Sequence, residues 1–102
     1  MPLAHQVAQK LHGVTDPSSD RAHDLIDLQL IYTHGEVNAQ EVHRIAVRLF
    51  ANRHRQPWPT KLSKKPNWDE LYLDAKGNLP VLPTVDEAIA WANELIERID
   101  KA

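Results

Sequence analysis

Between Asp24 and Tyr32 the chain reads DLIDLQLIY, and on a helical wheel Leu25, Ile26, Leu28, Leu30, Ile31 and Tyr32 are spread around nearly the whole circumference. A helix with so little polar surface has no face to give to water, so it belongs inside a bundle with other helices around it. That requirement constrains the fold more than anything else in the sequence. It also raises a problem, because Asp24 and Asp27 sit in a narrow wedge of the same helix. A carboxylate in such surroundings is costly, by several kcal/mol, unless it is paired or hydrogen-bonded.

The rest of the chain supplies the surrounding helices. Pro2 suits a first helical turn, and Leu3, Val7, Leu11 and Val14 recur on one face, which predicts a helix over about 2–12 that stops near Gly13. The polar turn at 15–20 provides capping residues for the apolar helix, expected over about 20–33 and closed by Thr33, His34 and Gly35. Asn38 and Glu41 form a capping pair for a third helix over about 38–54, with Val42, Ile45, Ala46 and Leu49 inward and Arg44 and Arg48 outward. Prolines 57, 59 and 66 forbid a continuous helix from about 55 to 66, which is therefore a proline-rich loop. Asn67 with Glu70 is expected to start a short helix through Tyr72 that ends near Gly77. LPVLP, residues 79–83, is expected to lie extended and packed across the core. Thr84 with Glu87 is the strongest capping box, and Val85, Ala88, Ile89, Ala92, Leu95, Ile96 and Ile99 make the last amphipathic helix, to about residue 100.

These elements predict an all-α fold, a small bundle of four to five helices, and 102 residues allow a single domain over 1–102. The absence of cysteine excludes disulfides, thiolate metal sites and a cysteine nucleophile. With no long apolar run and no basic, apolar leader at MPLAHQ, the chain is expected to be soluble, unexported and cytoplasmic.

Charge is unevenly placed. Residues 1–43 hold two basic and six acidic side chains, residues 44–65 seven basic and none acidic, and residues 66–102 three and eight, which sums to the net −2. The basic block carries Arg44, Arg48, Arg53, Arg55, Lys61, Lys64 and Lys65 around Trp58. Cations interleaved with an indole are what a single-stranded RNA needs, so Arg44, Arg48, Arg53, Arg55 and Trp58 are candidate RNA-binding residues. A solvated helix face, with a tryptophan that plugs the core, explains the same pattern.

Two readings of Asp24 and Asp27 remain open at this level. Acids early in a helix favour its dipole, and Arg21 can pair with Asp24 at i+3, which needs no function. Alternatively the polar wedge is kept for a ligand. Lys10, with Gln6 one turn before it, lies at the edge of the first helix's apolar face and either snorkels to solvent or meets that wedge. The six histidines, at 5, 12, 23, 34, 43 and 54, contain no pair at the His-x-x-x-His spacing, so no metal site is expected in this chain.

The order Gln6 to Lys10, then Arg21-x-x-Asp24-x-x-Asp27-Leu28, then Phe50-x-x-Arg53, Pro57-Trp58-Pro59, Trp68 and Tyr72, resembles the C-terminal half of AbiEii/AbiGii toxin-family nucleotidyltransferases. In that family the second helix has the form R-x-K-D-x-x-D-L, and this chain has His23 where lysine is usual. The resemblance implies a prokaryotic toxin–antitoxin, abortive-infection role. It implies that Lys10, with Arg21 beside it, contacts nucleotide phosphate and that Asp24, with Asp27, is the catalytic acid that positions or activates the acceptor. It also implies a nucleoside triphosphate and tRNA as substrates and a cognate antitoxin as partner. The family's Gly-Ser turn and D-x-D pair, which hold catalytic Mg2+, do not occur in these 102 residues. Mg2+ is therefore expected only with a catalytic half supplied from elsewhere, and the isolated chain is expected to be inactive. The alternative is a non-catalytic RNA- or protein-binding helical module that works through block 44–65.

Overall fold

The computed structural model describes residues 3–16, 21–53 and 58–102, and among them the chain forms five α-helices and no strand. They are α1 (Leu3–Thr15), α2 (His23–His34), α3 (Ala39–Arg53), α4 (Trp68–Lys76) and α5 (Val85–Asp100). The apolar helix α2 packs against α1, α4 and α5, while α3 covers α1 and α5. Leu25, Ile26 and Leu28 are buried on it, with Leu30, Ile31 and Tyr32 partly covered, as a helix apolar on every side requires.

The core runs from Val7, Leu11 and Val14 of α1 through Leu25 and Leu28 to Ala88, Ala92, Leu95, Ile96 and Ile99 of α5. Trp68 and Tyr72, four residues apart on α4, enter it side by side. Each buried Leu or Ile contributes about 1.5–3 kcal/mol, so α4 and α5 hold their places by packing more than by helix propensity. Two expected caps are made: the Glu41 amide donates to Asn38 Oδ1 at 3.0 Å, and the Glu87 amide to Thr84 Oγ1 at 3.2 Å.

Four expectations change. Helix α1 does not stop near residue 12 but continues through Gly13 to Thr15, whose hydroxyl donates back to the Leu11 carbonyl at 2.6 Å. Gly13 is a point of close approach, described below, and not a terminator. Asn67 makes no side-chain cap for α4; it takes the left-handed conformation at φ 68°, which asparagine tolerates better than most residues. Helix α2 begins at His23 with Ala22 in the cap position and no side-chain cap, and the expected capping residue Asp20 lies outside the described residues.

The segment 79–83 is not packed across the core but lies over its edge, with Leu79 41% exposed and Val81 and Leu82 half-buried. Its backbone is tied down by polar groups instead: the Leu82 amide donates to Gln29 Oε1 at 2.8 Å, and Tyr72 Oη donates to the Leu82 carbonyl at 2.7 Å. Gln29 Nε2 in turn donates to Tyr72 Oη at 3.0 Å, so α2, α4 and this segment share one buried polar knot. The chain ahead of α4 is fixed in a similar way. Leu62 is buried, and the Asn93 side chain takes its amide at 2.7 Å and meets its carbonyl at 3.0 Å.

Candidate functional site

Asp24 sits in the first turn of α2 and is wholly buried. Its burial follows from helix geometry, because the wedge between Leu28 and Ile31 faces α1. What makes that burial tolerable is a set of cations. Lys10 of α1 places Nζ 2.9 Å from Asp27 Oδ2 and 3.4 Å from Asp24 Oδ1, and Arg21 places Nε 3.0 Å from Asp24 Oδ2. His23 brings Nε2 within 3.5 Å of Asp24 Oδ1. Both cations therefore lie against the carboxylate pair, and Lys10 bridges it.

Gly13 makes the arrangement possible. A Cβ there would stand 3.0 Å from Asp24 Oδ2 and 3.1 Å from Arg21 Nη1, so the guanidinium and the carboxylate occupy the space a side chain would fill. The contact is close but imperfectly directed: Asp24 Oδ2 accepts no well-aligned hydrogen bond among the described residues although Arg21 Nε is at ion-pair distance. We regard the pair as a charge contact more than as a directed bond.

Burial alone pushes the Lys10 ammonium towards neutrality, but its hydrogen bond to Asp27 and the charges of Asp24 and Asp27 outweigh this, and the net effect is a pKa above its usual value. Lys10 is a firmly charged lysine at the lip of a cavity of about 390 Å³, lined also by Gln6, Gln9, Arg21 and Leu49. One wall of this cavity is thus cationic and the rest largely amide, a surface suited to an anionic oxygen-rich group.

The candidate RNA-binding residues are only partly placed. Arg44 and Arg48 are exposed on α3 and line a second cavity, of about 400 Å³, with His5, Ile45, Leu49 and Asn52. Trp58 spends its ring on packing: it meets Phe50 edge-on at 5.3 Å between centroids and His43 at 6.1 Å, and its indole nitrogen is buried. The Arg53 side chain and the whole of Arg55 lie outside the described residues.

His23, Asp24 and Asp27 each offer a ligand atom, and these atoms lie within 4.8 Å of one another. The sequence holds no two histidines four apart, but His23 and Asp27 stand at that same spacing. In the sequence Gly13 reads only as a helix stop, and no pattern within one helix shows that it faces Arg21. The donor set does not suit Mg2+, which prefers oxygen ligands throughout and near-ideal octahedral geometry.

The described residues thus form an all-helical domain whose buried carboxylate is clamped by cations beside a polar cavity. Residues 1–94 match the protein family described as nucleotidyl transferase AbiEii toxin, type IV TA system, and the chain belongs to that family. No curated protein matches it. Membership brings a toxin–antitoxin, nucleotidyltransferase-like role. Among the described residues no helix is long and apolar enough to cross a membrane.

Proposed function

We propose that this chain acts as the C-terminal, helical portion of an AbiEii-type nucleotidyltransferase, in which Lys10 and Arg21 receive the nucleotide's phosphates and Asp24, with Asp27, positions or activates the acceptor. The observation that carries this reading is the position of Lys10, which touches both carboxylates and opens onto a polar cavity. A lysine is a compact charge on a flexible stem, so it can pass from a carboxylate to a phosphate oxygen with little rearrangement. Asp24, buried beside two cations, is held in one orientation, as a group that must accept a proton from an attacking hydroxyl needs to be.

Transfer would also draw on a metal ion to offset the phosphates' charge, and the Gly-Ser turn and D-x-D pair that would hold it in this family do not occur in these 102 residues. The purified chain is therefore inactive alone and depends on a partner that carries them; a cognate antitoxin is a further partner and tRNA the acceptor implied by the family. The test is label transfer from each of the four nucleoside triphosphates to tRNA. The chain alone is expected to transfer none, and a mixture with a family catalytic half is expected to regain transfer that Lys10→Ala or Asp24→Asn abolishes. Incorporation by the chain alone, lost on Asp24→Asn, overturns the division of labour.

A second reading is favoured by the cavity that Arg44 and Arg48 share with His5. Here α3 is an RNA-facing surface whose cations, and not Trp58, do the binding. Affinity for single-stranded RNA then falls steeply with salt as phosphate counterions are released, and Arg44→Glu with Arg48→Glu removes it. Binding indifferent to both changes rejects this surface.

A further inference from the structure

We propose that the cavity at Lys10 and the cavity at Arg44 and Arg48 are the two ends of one track for a single-stranded polynucleotide, with Leu49 as the sill on which a base rests. This rests on the RNA-facing reading of α3 and extends it, since the same strand then reaches the carboxylate clamp. The two cavities, of about 390 and 400 Å³, share Leu49 as a lining residue, so they adjoin.

Helix periodicity makes the junction continuous. On α1, His5 and Gln9 stand one turn apart, as do Gln6 and Lys10, and these two neighbouring rows lead from the α3 cavity to Asp24 and Asp27. On α3, Arg44, Arg48 and Asn52 form one row, with Ile45 and Leu49 in the row beside it. His5, which lines one cavity, and Gln9, which lines the other, are hydrogen-bonded at 3.1 Å across the join.

Two observations choose the ligand. The first is charge. Arg44 and Arg48 are exposed, and among the described residues no carboxylate stands within ion-pair distance of either, whereas Lys10 and Arg21 already meet carboxylates. A polyanion therefore gains most of its affinity on α3, and the clamp at the other end positions it. The second is the order of groups. Guanidiniums come first, then half-buried Leu49 and Ile45, then the amides of Gln6 and Gln9, then the Lys10 ammonium. Phosphate and base alternate in the same way along a single strand, whose bases present apolar faces and polar edges. An inorganic polyphosphate has nothing to lay on Leu49, and a duplex keeps its base faces stacked inside.

The experiment measures binding of fluorescein-labelled oligouridylates of two and six residues to the full 102-residue chain by anisotropy. It includes no nucleoside triphosphate and no catalytic half, so its outcome is independent of nucleotide transfer. The six-residue strand is expected to bind one to one and at least about twentyfold tighter than the dinucleotide, because it engages both ends. An abasic strand of the same charge binds at least about threefold more weakly, and Leu49→Ala narrows that difference to less than about twofold. Gln9 is exposed and stands apart from the carboxylate clamp, so Gln9→Glu puts a repelling charge in the Lys10 cavity of a chain that still folds, as circular dichroism checks. This change weakens the six-residue strand at least about fivefold and the dinucleotide less than about twofold. Should Arg44→Glu with Arg48→Glu remove binding while Gln9→Glu leaves the six-residue strand unaffected, the RNA face stands and the track is overturned. An abasic strand that binds as tightly overturns the sill. No binding at all, or binding that survives reversal of both arginines, rejects the RNA face and the track together.

Discussion

Gly13 on α1 faces Asp24 on α2 so closely that a Cβ added to it would stand 3.0 Å from the carboxylate oxygen Oδ2. In an ordinary helix interior, alanine in place of glycine stabilises by about 1 kcal/mol. Here the sign reverses. The short, buried Asp24 side chain has little room to give, Arg21 must shift by a few tenths of an ångström as well, and overpacking of this kind costs about 1–3 kcal/mol. Gly13→Ala is expected to lower stability by about 1 kcal/mol net in urea unfolding. In an Arg21→Ala background the loss shrinks but does not vanish, since the contact with Asp24 Oδ2 remains.

The two carboxylates are expected to differ sharply in what they contribute. Lys10→Met leaves buried Asp24 with one fewer cation, a loss of about 1–3 kcal/mol. Asp27, 41% exposed, is solvated without its partner, so Asp27→Asn costs less than about 1 kcal/mol. Thermal or urea unfolding of the two variants at neutral pH checks the order.

Alkaline pH is expected to destabilise the fold through groups whose pKa is raised. Lys10 stays charged in the folded state above its usual 10.5, so its ion pairs contribute fully below that pH and are lost as pH rises through the higher folded value. Tyr32 acts in the same direction: burial raises its phenol to about 12, partly offset by Arg98, so stability falls between about 10 and 12. Burial raises Tyr72 as well, with its Gln29 hydrogen bond working against the shift. The tyrosinate absorbance of this two-tyrosine chain is expected to show no step at the ordinary value of 10.0.

Tyr72→Phe removes the donor to the Leu82 carbonyl and the acceptor of Gln29 Nε2. We expect a loss of about 1–3 kcal/mol, because buried groups are left short of partners while the ring still packs. Hydrogen exchange at the Leu82 amide, whose acceptor is Gln29, should accelerate along with it.

Helix periods and caps were legible in the sequence because each is decided by residues within a turn or two: Thr84 and Glu87 identify the start of α5, and the all-round apolar pattern of 25–32 identifies a central helix. The Lys10 clamp was half legible, since a buried aspartate needs a cation and only Lys10 and Arg21 were at hand. The rest is tertiary. Gly13 gives no sign in α1 that it faces an arginine eight residues on, and Gln29 looks like any helical glutamine until Tyr72 and Leu82 arrive from far along the chain. Trp58 was ambiguous for the same reason, as Phe50 and His43 decide which way its ring is used.

The knot of Gln29, Tyr72 and Leu82 bears on which parts of the molecule can move. It grips α2 one turn before its end and braces it against α4 and the segment over the core edge, so α2 resists turning about its own axis. The carboxylates at the other end of the same rod thus form a stationary anvil. In the role proposed for this site, an arriving phosphate is met by motion of the Lys10 side chain across the gap, without repacking of the bundle.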